Sequence, residues 1–154
     1  MNKFSEYLST LFGIGYFPKA PGTAGTLFAA IVYFALPDNW QNSIFALMAI
    51  LVGSLISVFF ISKAEEGLGH DNGKIVLDEF WGYLIAVLFL PKTLVIIIAA
   101  FVLFRIFDIL KPEPVDVLQK LPKGWGVMAD DIMAGIYANI VLQIVIRLIP
   151  NIIK

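Results

Sequence analysis

No cysteine occurs among the 154 residues, which excludes disulfides, thiolate metal ligands and cysteine nucleophiles together and leaves the chemistry to oxygen, amine and imidazole groups. Imidazole is nearly missing too, since His70 is the single histidine. Charge is scarce: 15% of residues are Asp, Glu, Lys or Arg, against about 25% in an ordinary soluble domain, while 59% are hydrophobic. That imbalance points to a membrane. The net charge is −1, so no basic field exists to hold nucleic acid, and that class of partner drops out. Residues 1–10, MNKFSEYLST, lack the basic region, long apolar run and cleavage site of a secretory signal, so insertion is expected to be directed by internal segments. No repeat, low-complexity run or linker interrupts the chain, and its length suits one domain, 1–154.

What the chain has in quantity is apolar segments. The first runs from about Ala24 to Leu36 and ends at the polar loop Pro37 to Asn42; it is short for a span unless Gly13 to Gly25 joins it. Ser43 to Ile61 carries no charge over nineteen residues and is the cleanest spanning candidate. A polar loop, Lys63 to Lys74, follows, and its first residues can prolong the helix before it. Ile75 to Leu90 opens with two adjacent acids and stays apolar to Pro91; Thr93 to Leu110 comes at once, so the two read as an antiparallel pair turning at Pro91-Lys92. The last helix is expected from Val127 to about Ile149, before Pro150. The expected fold is all-α, an integral membrane bundle of about five helices, some short or half-inserted.

Five crossings place residues 1–23, the 62–78 loop and the 111–126 loop on one side, with Lys3, Lys19, Lys63, Lys74, Lys111, Lys120 and Lys123. The opposite side holds Lys92, Arg147 and Lys154. The positive-inside bias makes the first side cytoplasmic. Four motifs then share that face: PGTAGT, DEF, RxxDxxKP and GVMADD. Asp78-Glu79 and Asp130-Asp131 each begin a helix, where free N–H groups and the dipole favour negative charge, and N-terminal acids of this kind are common without any function. Two such pairs on one face, with Asp108 as a fifth carboxylate, point further, because clustered carboxylates repel unless a cation neutralises them. Hard oxygen ligands suit Mg2+ or Mn2+.

Arg105, Asp108 and Lys111 are three apart on one helix and share a face near its C-terminal end, where cations also complement the dipole. The dipole does not account for Arg105 inside the run FVLFRIFDIL. A guanidinium there reads as a phosphate clamp, with Lys111 as a second phosphate ligand aimed by the helix stop at Pro112 and Pro114. Thr23 and Thr26, in the PGTAGTLFA run ahead of a helix, are candidates beside a phosphate cradle, although a plain threonine cap with flexible glycines fits equally. His70, in a polar loop, reads as a solvated residue rather than a general base. Trp40, Trp81 and Trp125 lie near predicted span ends, where interfacial aromatics are usual.

PGTAGT, IVLDEFWG, FRIFDILKPEPV and GVMADDIMAG, in this order over about residues 13–140, resemble the phosphatidylglycerophosphatase A family. The resemblance implies a Mg2+-dependent bacterial inner-membrane enzyme that removes the terminal phosphate of phosphatidylglycerophosphate, a membrane phospholipid, to give phosphatidylglycerol. By position it implicates Thr23, Asp78, Glu79, Arg105, Asp108, Lys111, Asp130 and Asp131. Thr26 stands where the family commonly has serine, and Lys123 precedes Gly124 where Gly-Gly is frequent; the first change keeps a hydroxyl, the second alters the loop. The mechanism expected has lipid entering from the cytoplasmic leaflet, with Arg105, Lys111 and Thr26 on phosphate. Asp130 and Asp131 are the first choices for metal ligands, with Asp78, Glu79 and Asp108 as further ligands or as the base that takes the water's proton; Thr23 joins Asp108, Asp130 and Asp131 in the catalytic set. Both attack by water and an aspartyl-phosphate route remain open. A CDP-alcohol phosphotransferase would use similar groups but lacks its long acidic motif here. A cation or proton transporter would hold its acids near mid-membrane, and a non-catalytic scaffold would leave Arg105 and Asp108 only each other.

Overall fold

The shortest of the apolar helices lies at the centre. In a computed structural model that describes residues 2–149, α4 (Leu77–Ala86) is packed by α2 (Pro21–Ala35), α3 (Ile44–Leu68), α5 (Leu94–Leu110) and α7 (Gly124–Leu148). Two short helices complete the described residues, α1 (Lys3–Ser9) against α3 and α6 (Val115–Leu118) against α7, with no strand among them. Five of the seven helices correspond to the five expected apolar segments; α1 and α6 were not anticipated, because neither has an apolar run. Pro150 and Lys154, which entered the expectations above, lie outside the described residues.

Local chemistry sets the helix ends. Ser43 and Thr93 accept from the backbone N–H groups of Ala46 and Ile96, at 3.1 and 3.3 Å, and so start α3 and α5. Pro21 occupies the first turn of α2, where a missing N–H costs nothing. Gly69, at φ 99°, stops α3 seven residues beyond the charge-free run, as the loop's first residues suggested. The helix expected over Ile75 to Leu90 is shorter at both ends. Phe89 adopts φ 59°, and the chain from Val87 to Leu90 turns so that side chains elsewhere meet its carbonyls.

The core mixes small, aromatic and aliphatic residues: Ala29, Tyr33, Tyr83, Ala100, Phe104 and Ala138 are fully buried, as are Ile50 and Val87. Many other large apolar side chains, aromatic and aliphatic, face outward. Phe45 is 79% exposed and Phe34 65%, and Ile98, Ile109 and Ile144 are exposed as well. So many exposed large apolar side chains are rare on a water-soluble bundle and compatible with a membrane location. α3 and α7 are long and apolar enough to cross a membrane. The fifteen residues of α2 rise only about 22 Å, short of a ~30 Å hydrocarbon layer.

Candidate metal and phosphate site

Two glycines bring the acids together. Gly82 follows Asp78 by one turn on α4, and Gly135 follows Asp131 by one turn on α7. A Cβ on Gly135 would lie 2.2 Å from the carbonyl oxygen of Gly82, and one on Gly82 would lie 2.7 Å from the carbonyl oxygen of Asp131. The backbones therefore touch, and no larger residue permits it. The helices run parallel, so the turn before each glycine faces the other. One carboxylate oxygen from each of Asp78, Glu79 and Asp131 lies within 4.8 Å of the other two.

All three side chains are buried, and each keeps one oxygen without a hydrogen-bond partner: Asp78 Oδ1, Glu79 Oε2 and Asp131 Oδ2. Leaving ionised oxygens dry and unpaired is costly, and three together repel. An all-oxygen donor set of this kind fits a hard divalent cation such as Mg2+, whose charge would offset the repulsion among the three carboxylates. Sequence reasoning placed Asp130 and Asp131 first as ligands. The structure groups Asp131 with Asp78 and Glu79, while Asp130 Oδ2 lies 2.5 Å from Lys111 Nζ.

Two cations flank the carboxylates. Arg105 Nη1 is 2.5 Å from Asp108 Oδ2 and 3.8 Å from Glu79 Oε1, and its Nε is buried without a partner. The i,i+3 pairing on α5 aims the guanidinium at the acids. Lys111 ends α5 with φ 44°, donating its backbone N–H to Phe107, and the following proline cannot extend the helix. Burial pulls the Lys111 pKa down, but the bond to Asp130 and the negative charge of Asp71 and Asp108 outweigh it, so the ammonium is held above its usual value. The cluster thus presents two held cations beside an acidic trio, an arrangement suited to a phosphate with its metal.

The first turn of α2 closes the site. A Cβ on Gly22 would lie 2.3 Å from Glu79 Oε1 and 3.0 Å from Arg105 Nη1, so the glycine of the PGTAGT run lets the helix start meet both groups. Thr26 is fully buried and donates its hydroxyl to the Gly22 carbonyl at 2.8 Å, which stiffens this turn. Thr23 turns to the other face and lines an apolar cavity with Ile14, Phe17 and Leu27. His70 is half exposed and sits 2.5 Å from Glu65 Oε1, away from the acidic trio. Gly22, Gly82 and Gly135 were not singled out from sequence. A signal existed, because Asp-x-x-x-Gly occurs in both acidic motifs, at 78–82 and 131–135.

The sequence profile described as Phosphatidylglycerophosphatase A matches residues 7–146. A Haemophilus influenzae phosphatidylglycerophosphatase A is 41% identical over 138 residues, covering 88% of this chain and 84% of its own length. The Escherichia coli K12 phosphatidylglycerophosphatase A is 36% identical over 141 residues, covering 90% and 81%. A Bacteroides thetaiotaomicron protein provisionally named a phosphatidylinositol-3-phosphatase is 37% identical over 147 residues, covering 89% and 90%. No solved structure matches the chain.

Proposed function

This chain belongs to the phosphatidylglycerophosphatase A family, and from that premise we propose that it hydrolyses phosphatidylglycerophosphate to phosphatidylglycerol and inorganic phosphate. The observation that carries the reading is the trio of buried carboxylates with three unpartnered oxygens beside Arg105 and Lys111. A phosphomonoester on a lipid brings the anion those cations need and the acyl chains that the apolar outer faces accept.

Asp78, Glu79 and Asp131 would hold Mg2+. That ion, when bound, supplies positive charge against the phosphate oxygens and the charge that develops on them. Arg105 and Lys111 bind the remaining phosphate oxygens, and their pairing with Asp108 and Asp130 fixes where they stand before substrate arrives. Water attacks phosphorus in line as it gives up a proton to a carboxylate, the bond to the glycerol oxygen breaks, and that oxygen receives the proton from the carboxyl. Asp130 or Asp108 takes the proton from water, since each lies beside the phosphate-binding cation it holds. Thr26 contributes by holding the first turn of α2.

In this reading the chain is a multi-pass protein of the bacterial inner membrane. The α2, α4 and α7 starts and the α5 end face the cytoplasm, where Lys63, Lys74, Lys111, Lys120 and Lys123 also fall. α2, α4 and α5 sit within the bundle formed with α3 and α7, part-way through the bilayer. Its product places it in phospholipid biosynthesis.

The test is phosphate release by the purified protein in detergent, with Mg2+, with chelator, and for Asp131→Asn. Release that needs both metal and Asp131 is expected. Release indifferent to chelator, or none from folded protein, overturns the reading. The Bacteroides relative favours a second substrate, a phosphoinositide carrying a 3-phosphate, which offers the same phosphomonoester on a different headgroup. Assaying both lipids side by side decides between them: a higher kcat/KM on the inositol lipid replaces the first substrate.

A further inference from the structure

The stretch before α2 exposes aromatic rings on the outside of the bundle. Phe4, Tyr7, Phe12, Tyr16 and Phe17 are each about half exposed or more, at 62, 54, 57, 49 and 58%, while Ser5, Ser9 and Thr10 are buried. The hydroxyl residues face inward and the rings face out, the inverse of what a helix lying in water shows for these two kinds of residue. Leu11 and Phe12 both take positive φ, 46° and 60°, which folds the chain back so that rings from both arms share a surface. Lys3, Lys19 and Lys74 are exposed around it, with Lys74 Nζ 5.0 Å from the Tyr16 ring centroid. The acid of this segment, Glu6, is engaged by the Tyr16 hydroxyl.

We propose that residues 3–19 form an interfacial foot that lies in the headgroup layer of an anionic bilayer and seats the carboxylate site at that depth. Amphipathic rings and lysines are the residues that settle at this level, the rings at the acyl boundary and the ammonium groups among lipid phosphates. The apolar surface is continuous with the outer faces of the bundle. Phe4 meets Phe60 edge-on at 5.9 Å beside exposed Phe59 of α3, and Phe17 shares its cavity with Leu27 and Ile31 of α2.

The foot is joined to the site through backbone. Val76, the residue just before α4, donates its N–H to the Ser9 carbonyl at 2.9 Å. A Cβ on Gly15 would lie 1.8 Å from the Lys74 carbonyl oxygen. The segment thus clamps residues 74–76, immediately ahead of Asp78 and Glu79. Its depth in the lipid sets theirs.

The inference rests on the membrane reading above, and the absence of cysteine makes the two separable. Single cysteines replace Phe4, Phe12 or Phe17, with Val52→Cys on the exposed face of α3 and Asp116→Cys on α6 as references. Each carries a nitroxide in the full-length protein, reconstituted into phosphatidylcholine–phosphatidylserine vesicles and checked for unchanged circular dichroism. Collision with oxygen and with a water-soluble nickel chelate is then measured. Labels at 4, 12 and 17 are expected to show nickel accessibility below position 116 and above position 52. Labels at 12 and 17 as open to nickel as 116, with 52 protected, overturn the foot and leave the membrane reading standing. An open label at 52 overturns both. The three foot positions are independent, so a variant that fails to fold leaves the other two to decide.

Discussion

At one end of the α4–α7 pair, the Asn139 amide donates to the carbonyl oxygens of Ile85, Ala86 and Leu88, at 2.7 to 3.2 Å, and its own oxygen accepts from Gln143 at 2.7 Å. Gln41 meets the Leu90 carbonyl at 3.0 Å and Lys92 the Leu36 carbonyl at 2.5 Å. At the other end, the same two helices bury Asp78, Glu79 and Asp131 with three oxygens unmet. The far end uses polar side chains to close helix ends that would otherwise be dry and unsatisfied. The near end leaves acceptors open. Gln41 Oε1 and the Tyr33 hydroxyl are also buried without partners, but they are single neutral groups. Since each unmet buried group costs about 1–3 kcal/mol, and more when ionised, three carboxylates with unmet oxygens in one cluster single out the near end as the candidate binding place.

The largest effect expected from breaking this contrast is at the near end. Asp131→Asn should lower phosphate release about 10³-fold at saturating Mg2+, the order of magnitude for losing a metal ligand worth several kcal/mol. Its thermal midpoint should hold or rise, since one of three repelling charges is gone. Loss of activity with a collapsed midpoint would make Asp131 structural. Gly135→Val should act on both ends, because its Cβ would strike the Gly82 carbonyl, and overpacking against backbone costs about 3 kcal/mol or more. Unfolding by denaturant should shift accordingly, with activity lost in parallel. A normal midpoint would mean the helices can part without harm.

Asn139→Leu tests the far end alone. It should cost about 2 kcal/mol by stranding carbonyls, with turnover per folded molecule unchanged. A fall in kcat with unaltered stability would erase the distinction between the ends. The smallest effect is expected from Thr26→Val. Losing one bond to the Gly22 carbonyl should cost about 1 kcal/mol and leave kcat within about threefold. A drop far beyond that would return the hydroxyl to the phosphate, as the sequence motif suggested.

The pattern of legibility follows from range. Ser43 to Ile61 was readable as a helix because its signal is local, and the extension to Leu68 needed only the charged turn that follows. Arg105 was selected from its place inside an apolar run, Asp108 and Lys111 from their spacing to it, and the pairs Asp78-Glu79 and Asp130-Asp131 from sharing one face at helix starts; the structure brings them to one end of the bundle. Their partition was not readable. Adjacent Asp130 and Asp131 look alike in sequence, yet about 100° of helical rotation sends one to Lys111 and the other to the acidic trio. Thr23 and Thr26 separated for the same reason. α1 escaped notice because seven residues of mixed polarity carry little periodic signal, and only contact with α3 and α4 shows what they cover.

Composition and spacing alone determined that this chain is helical, apolar on its outside and acidic at one end, because burial costs and helix periodicity act on neighbouring residues. The tertiary structure decided which carboxylates face each other and which are neutralised by Arg105 and Lys111. Those pairings depend on how closely two backbones approach at Gly82 and Gly135, a distance set by atoms more than fifty residues apart.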